Sequence, residues 1–175
     1  MQPIVHLAVA YLCFAGYERW NGNDVPREGP TAVAIIGAAL PDLIDKPIAF
    51  IGLVPVGRTV GHSLVFALPL IGIVWILSTK RNQRVLGIAF AIGYLSHLAT
   101  DVPWHVLSGD YEELGFLLWP VTHMPPYSGV KPLGTVSGVE ITTLWIEAII
   151  FLAGVALWWY DGRPGLEPIR ARLRQ

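Results

Sequence analysis

Two short motifs place acids and imidazoles where they could share an ion. "PDLID" (41–45) sets Asp42 and Asp45 three apart, and "HLATD" (97–101) sets His97 and Asp101 four apart. On a helix either spacing brings both side chains to one face. His6, and His62 within "GHS" (61–63), add two more imidazoles. Histidine and carboxylate ligands together suit zinc, with manganese or iron(II) as alternatives, rather than calcium or magnesium alone. His6, Asp42, Asp45, His62, His97 and Asp101 exceed the needs of one tetrahedral ion. They would serve one or two divalent ions, a bridged pair lying ~3.5–4 Å apart. Plainer readings exist for each feature alone. Asp42 after Pro41 suits a turn, His97 and Asp101 suit a simple helix pair, and His62-Ser63 suits a helix start.

The elements that must position these groups are unusually apolar. Of 175 residues, 53% are hydrophobic and only 14% charged, against about 25% charged in ordinary soluble domains. This composition predicts a membrane protein, with an apolar soluble bundle as the alternative. The net charge of −1 gives no electrostatic support for nucleic-acid binding. The single cysteine, Cys13, excludes an internal disulfide and a thiolate metal site. The N-terminus has no basic start and no small-residue cleavage site, so it reads as a retained helix rather than a signal peptide.

Five apolar segments follow: about 3–16, about 31–40, 62–78, 85–101 and 141–160. The third carries Pro69, and Pro103 is expected to stop the fourth. The second is short for a span and reads as partial or re-entrant. The fold expected is all-α, a polytopic transmembrane bundle of about four to five helices forming one domain. Gly-, Pro- and aromatic-rich pieces at about 46–61 and 102–139 would cap it on the non-cytoplasmic side. If the segments alternate, one face holds Arg19, Arg27, Lys80, Arg81, Arg84, Arg163, Arg170, Arg172 and Arg174, nine of the twelve basic residues. The other holds Lys46, Arg58 and Lys131. Positive charge marks the cytoplasmic side, which puts the tail (161–175) inside. The same alternation brings His6, Asp42, Asp45, His62, His97 and Asp101 to the outer face, with His105 and His123 in the outer cap. Scattered core histidines have no reason to gather so, and intramembrane ionisable residues are costly and functional by default.

"LPDLID", "GHS" and "HLATD", after a first helix carrying His6, resemble the membrane-bound metal-dependent hydrolases of the YdjM/YbcI type (the DUF457 family). "LLWP" (117–120) is similar to an element that follows the His-Asp helix there, and the resemblance covers about residues 1–125. More distantly, the ordered set is similar to the zinc-dependent phospholipase C and P1-nuclease group. That likeness implies His6, Asp42, His62, His97 and Asp101 as ligands, with Asp45 a ligand or a supporting partner. Two departures stand out. Gly57 occupies a place before Arg58 where relatives carry histidine, and no clear His-and-Glu cluster follows, although Glu140 and Glu147 share a helix face.

The expected function is hydrolysis of a phosphoester, a lipid or lipid-linked phosphate, by metal-activated water at the outer boundary of the plasma (inner) membrane. Asp45 or Asp101 would take the proton, and Arg58 would bind the phosphate, its alternative being a headgroup-facing surface arginine. Membrane lipids are the expected surroundings; oligomeric state is left open. The rival is a non-catalytic membrane protein with a structural His/Asp site. A proton or ion relay fits less well, because relays thread the bilayer centre.

Overall fold

The computed structural model describes residues 1–54, 56–109, 111–123, 135–136 and 139–166. Lys131, Arg170, Arg172 and Arg174 lie outside the described residues, as do the side chains of His105 and Glu140. Five helices follow in chain order: α1 (Pro3–Trp20), α2 (Glu28–Phe50), α3 (Leu64–Lys80), α4 (Arg84–Ser108) and α5 (Ile141–Tyr160). A 3-10 helix, Tyr111–Leu118, follows α4. Two-residue strands, β1 (Thr135–Val136) and β2 (Val139–Glu140), pair antiparallel before α5.

Three helices, α1, α2 and α4, run four or more residues past the ends expected from the sequence. α1 runs to Trp20 rather than Gly16. α2 continues ten residues past Leu40 to Phe50, through Pro41 and Pro47. The "PDLID" motif is therefore inside a helix, and the cap expected from residue 46 begins only after α2 ends. α4 likewise passes Pro103 and ends at Ser108. A proline inside a helix loses one backbone bond and crowds the carbonyl four residues earlier. At Pro41 that earlier residue is Gly37, which has no side chain to add to the crowding. α3 starts later than expected: Ser63 caps it, accepting the Val65 N–H at 3.2 Å, so His62 sits in the turn before the helix.

α4 is the central element, with α2 pressed closest against it. A Cβ on Gly37 would lie 2.7 Å from the Phe90 carbonyl oxygen, and one on Gly93 would lie 2.0 Å from that of Ala34. Small residues at these crossings let the backbones meet, the usual device of helix pairs in an apolar solvent. Phe14, Ala34 and Ala89 fill one buried cluster, and Ala67, Phe90, Tyr94 and Leu98 another. At the far end, Arg27 forks onto buried Glu18 at 2.7 and 2.8 Å. Arg19 and Tyr11 both bond Asp161. These pairs tie the α1–α2 and post-α5 turns together.

α3 and α5 turn apolar faces outward. Phe66, Leu68, Ile73, Trp75 and Ile76 are exposed on α3, as are Trp145, Ile149, Leu152, Trp159 and Tyr160 on α5. Contiguous apolar surface on this scale is foreign to soluble monomers and needs an apolar surrounding. Among the described residues one stretch, Arg84–Val102, is long and apolar enough to cross a membrane. The apolar lengths of α3 and α5 are shorter.

Candidate functional site

Four elements deliver the polar residues to one end of the bundle. His6 comes from the first turns of α1, Asp42 and Asp45 from α2, His62 from the turn before α3, and His97 and Asp101 from α4. His6, Asp45, His62, His97 and Asp101 are each at most 1% exposed. Such burial of five ionisable groups costs stability unless they are bonded to one another or to a cation.

The three imidazoles are oriented alike by their outer nitrogens. His97 Nδ1 lies 2.7 Å from the Ala38 carbonyl oxygen, which can only accept. His62 Nδ1 lies 2.8 Å from Asp45 Oδ2, again an acceptor. His6 Nδ1 lies 2.8 Å from Thr100 Oγ1. That hydroxyl already donates its one hydrogen back to the Ser96 and His97 carbonyls at 2.9 and 3.0 Å, so it accepts from His6. Each ring thus carries its hydrogen on Nδ1, as inferred from the partners. Each presents the lone pair of Nε2 to the interior. Holding the outer nitrogen this way is how proteins orient metal-binding histidines.

The inner atoms converge. His62 Nε2 and His97 Nε2 are 3.1 Å apart. Asp101 reaches all three rings, with Oδ1 3.4 Å from His6 Nε2, and Oδ2 3.5 Å from His62 and 3.9 Å from His97. Asp42 Oδ1 is 3.8 Å from His62 Nε2. The His6 and His97 rings stack at 3.8 Å. Two groups have ligand atoms close enough for one ion: His6, His97 and Asp101, and Asp42, His62 and His97. His97 belongs to both and has one free nitrogen, so it serves one ion.

These residues fit a metal. Two lone pairs facing at 3.1 Å repel unless a proton or a cation lies between them. Two nitrogens on one tetrahedral zinc, at about 2.0–2.1 Å from it, lie about 3.3 Å apart. The observed separation is close to that spacing.

Asp45 has a different place from the other expected ligands. Its Oδ2 accepts from Thr59 N at 2.7 Å, His62 N at 3.1 Å and His62 Nδ1 at 2.8 Å. Its Oδ1 accepts from Gly61 N at 2.8 Å. With its oxygens so engaged it faces the outer nitrogen of His62 and offers nothing to the cluster's interior. The alternative of a supporting partner is the one the geometry matches, rather than that of ligand or proton acceptor. Arg58 does arrive: its Nε is 3.1 Å from Asp101 Oδ2, and its guanidinium lies over the Phe116 ring at 5.8 Å.

Several supporting residues are not apparent from the motifs. Thr100 sets His6, Ala38 sets His97, and Thr59 and Gly61 hold Asp45. The Tyr94 hydroxyl donates to the Gly61 carbonyl at 2.6 Å. Gly61 passes so near α2 that a Cβ would lie 2.6 Å from the Pro41 carbonyl oxygen. That glycine in "GHS" was the one available signal. Of the residues whose roles were open, His123 is exposed and Glu147 is buried on α5. Glu147 Oε2 accepts from Gln2 N at 3.0 Å, while Oε1 has no hydrogen-bond partner among the described residues.

No curated protein and no solved structure matches the chain. A family model described as YdjM inner membrane protein matches residues 1–165, a span that contains every member of the cluster, and the chain belongs to that family.

Proposed function

We propose that this chain is a membrane-embedded, metal-dependent hydrolase that cleaves a phosphoester, a lipid or lipid-linked phosphate, at the membrane boundary. The observation that carries the reading is the 3.1 Å approach of the His62 and His97 Nε2 atoms, both turned inward by acceptors on their Nδ1 atoms. His6, His62, His97, Asp42 and Asp101 would hold one divalent ion, zinc by ligand type, with manganese or iron(II) as alternatives. A second ion could share Asp101, whose two oxygens face different rings.

The ion, when bound, supplies Lewis acidity and an activated water at neutral pH. The rest falls to the chain. Asp45 keeps the His62 lone pair aimed inward, and Thr100 does the same for His6. Arg58, steadied by Phe116, is the cation placed to bind a substrate oxyanion. Asp101 is the carboxylate nearest to receive a proton. Membership of an inner membrane family, and the outward apolar faces of α3 and α5, support a bundle of four to five spans. Arg19, Arg27, Lys80, Arg81, Arg84 and Arg163 belong to the opposite end from the cluster, which supports an extracytoplasmic site by the positive-inside rule.

The test is turnover. Purified protein in detergent is assayed against phosphatidic acid, a polyprenyl phosphate and a soluble aryl phosphate, beside Asp101→Asn and His97→Ala. Metal-dependent release of phosphate that both variants abolish supports the reading. Bound metal without turnover on any substrate favours the second reading, a structural metal site closed by protein ligands. The full set of five inward-facing ligand groups is what favours that rival.

A further inference from the structure

We propose that Lys46 is a substrate-binding cation that rests on Asp42 in the absence of metal and transfers to the phosphate group of the substrate once the ion holds Asp42. This rests on the reading of the cluster as a metal-dependent phosphoesterase site. Three cations sit on two of the cluster's carboxylates, the Met1 ammonium at 3.2 Å from Asp101 Oδ1 and two side chains. Arg58 Nε holds Asp101 Oδ2 at 3.1 Å, and Lys46 Nζ holds Asp42 Oδ2 at 2.7 Å. The two side-chain cations differ in exposure. The Arg58 side chain is 18% exposed and packed over Phe116, whereas that of Lys46 is 51% exposed.

Asp42 joins Lys46 to the cluster, since its other oxygen, Oδ1, faces His62 Nε2 at 3.8 Å. An exposed i,i+4 pair is weak, so a divalent ion on Oδ1, by drawing charge from the shared carboxylate, would loosen the ammonium from Oδ2. The loosened Lys46 lies at the open side of the site, since Asp42 is the most exposed of the cluster's carboxylates at 16%. A flexible ammonium, a compact point charge with three donors, is suited to follow an incoming phosphate. Arg58 and Lys46 would then flank the phosphate from opposite partners of the cluster, Asp101 and Asp42.

This arrangement makes Lys46 a competitor of the metal and an ally of the phosphate, so its removal should act with opposite signs on the two. Full-length protein in detergent is titrated with zinc against a chelating dye, and the zinc-loaded protein with inorganic phosphate. The proteins compared are wild type, Lys46→Gln, Lys46→Arg and, as a remote control, Lys80→Gln. The expected result for Lys46→Gln is zinc binding tighter by about two- to threefold, the strength of an exposed pair. Phosphate binding should weaken by about tenfold, the value of one charge-assisted bond. Lys46→Arg should restore the phosphate affinity, and Lys80→Gln should match wild type. Unchanged zinc and phosphate binding in Lys46→Gln, or a fall in both, would overturn the inference while leaving the hydrolase reading intact. Wild-type protein that binds no zinc would overturn both.

Discussion

Replacing Asp45 by asparagine removes a charge and one acceptor without changing the shape of the side chain. Asp45 accepts three backbone N–H groups and one imidazole N–H, at 2.7 to 3.1 Å, from Thr59, Gly61 and His62. If the asparagine oxygen takes the position of Oδ2, the bonds from Thr59 N, His62 N and His62 Nδ1 survive. The new NH2 group then points at the Gly61 N–H, and two donors meet. Leaving that buried donor unsatisfied costs about 1–3 kcal/mol. The three surviving bonds fall from charge-assisted to neutral, which costs about 0.5–1 kcal/mol each. The total is about 2.5–6 kcal/mol, or a fall in Tm of about 5–25 °C on the scale of domains of this length. The metal should suffer separately, because His62 loses the carboxylate that orients it. Loss of such a partner weakens metal affinity by about 10- to 100-fold. Thermal unfolding in detergent reads the first effect and zinc competition with a chelator the second. Asp45→Asn protein with wild-type Tm and wild-type zinc affinity would refute the assignment of Asp45 as the residue that holds His62.

Other perturbations separate packing from chemistry. Gly93→Ala places a methyl group where only 2.0 Å is available to the Ala34 carbonyl; by forcing α2 off α4 it should destabilise by about 3 kcal/mol or more, read as a lowered Tm. Gly72→Ala in α3 meets nothing within 4 Å, so it should leave stability unchanged or raise it by up to about 1 kcal/mol. Arg27→Ala strands the buried Glu18 carboxylate at the far end, with an expected loss of about 3–5 kcal/mol and no change in zinc affinity once the protein is folded. Zinc at one hundred times its Kd should stabilise the wild-type protein by about 2.7 kcal/mol, and a chelator should reverse the rise in Tm; His97→Ala should show a smaller rise at the same zinc concentration.

The sequence carried the site further than the fold around it. Residue types and spacing were enough to gather His6, Asp42, His62, His97 and Asp101, because the alternating course of the helices brings each motif to one end of the bundle. The boundaries of α2 and α4 were not legible. A proline argues for a stop from local sterics alone, yet Pro41, Pro47 and Pro103 are carried within helices whose neighbours were invisible in one dimension. The role of Asp45 was equally hidden. Its spacing from Asp42 is that of a second ligand, and only the position of the 59–62 turn shows four N–H groups pointing at it. Thr100 and Ala38 escaped for the same reason, since a hydroxyl and a backbone carbonyl leave no signature in a sequence. The three tautomers, on which the metal reading rests, depend on those partners.

The central claim is that three Nε2 atoms and the Asp42 and Asp101 carboxylates surround one divalent ion. Zinc K-edge X-ray absorption on the purified, zinc-loaded protein measures this directly. The expected result is a four- or five-coordinate centre with the multiple-scattering signature of three imidazoles, nitrogen and oxygen ligands at about 2.0–2.1 Å, and one imidazole fewer in His97→Ala. A centre with at most one imidazole, or protein that retains no zinc, would contradict it.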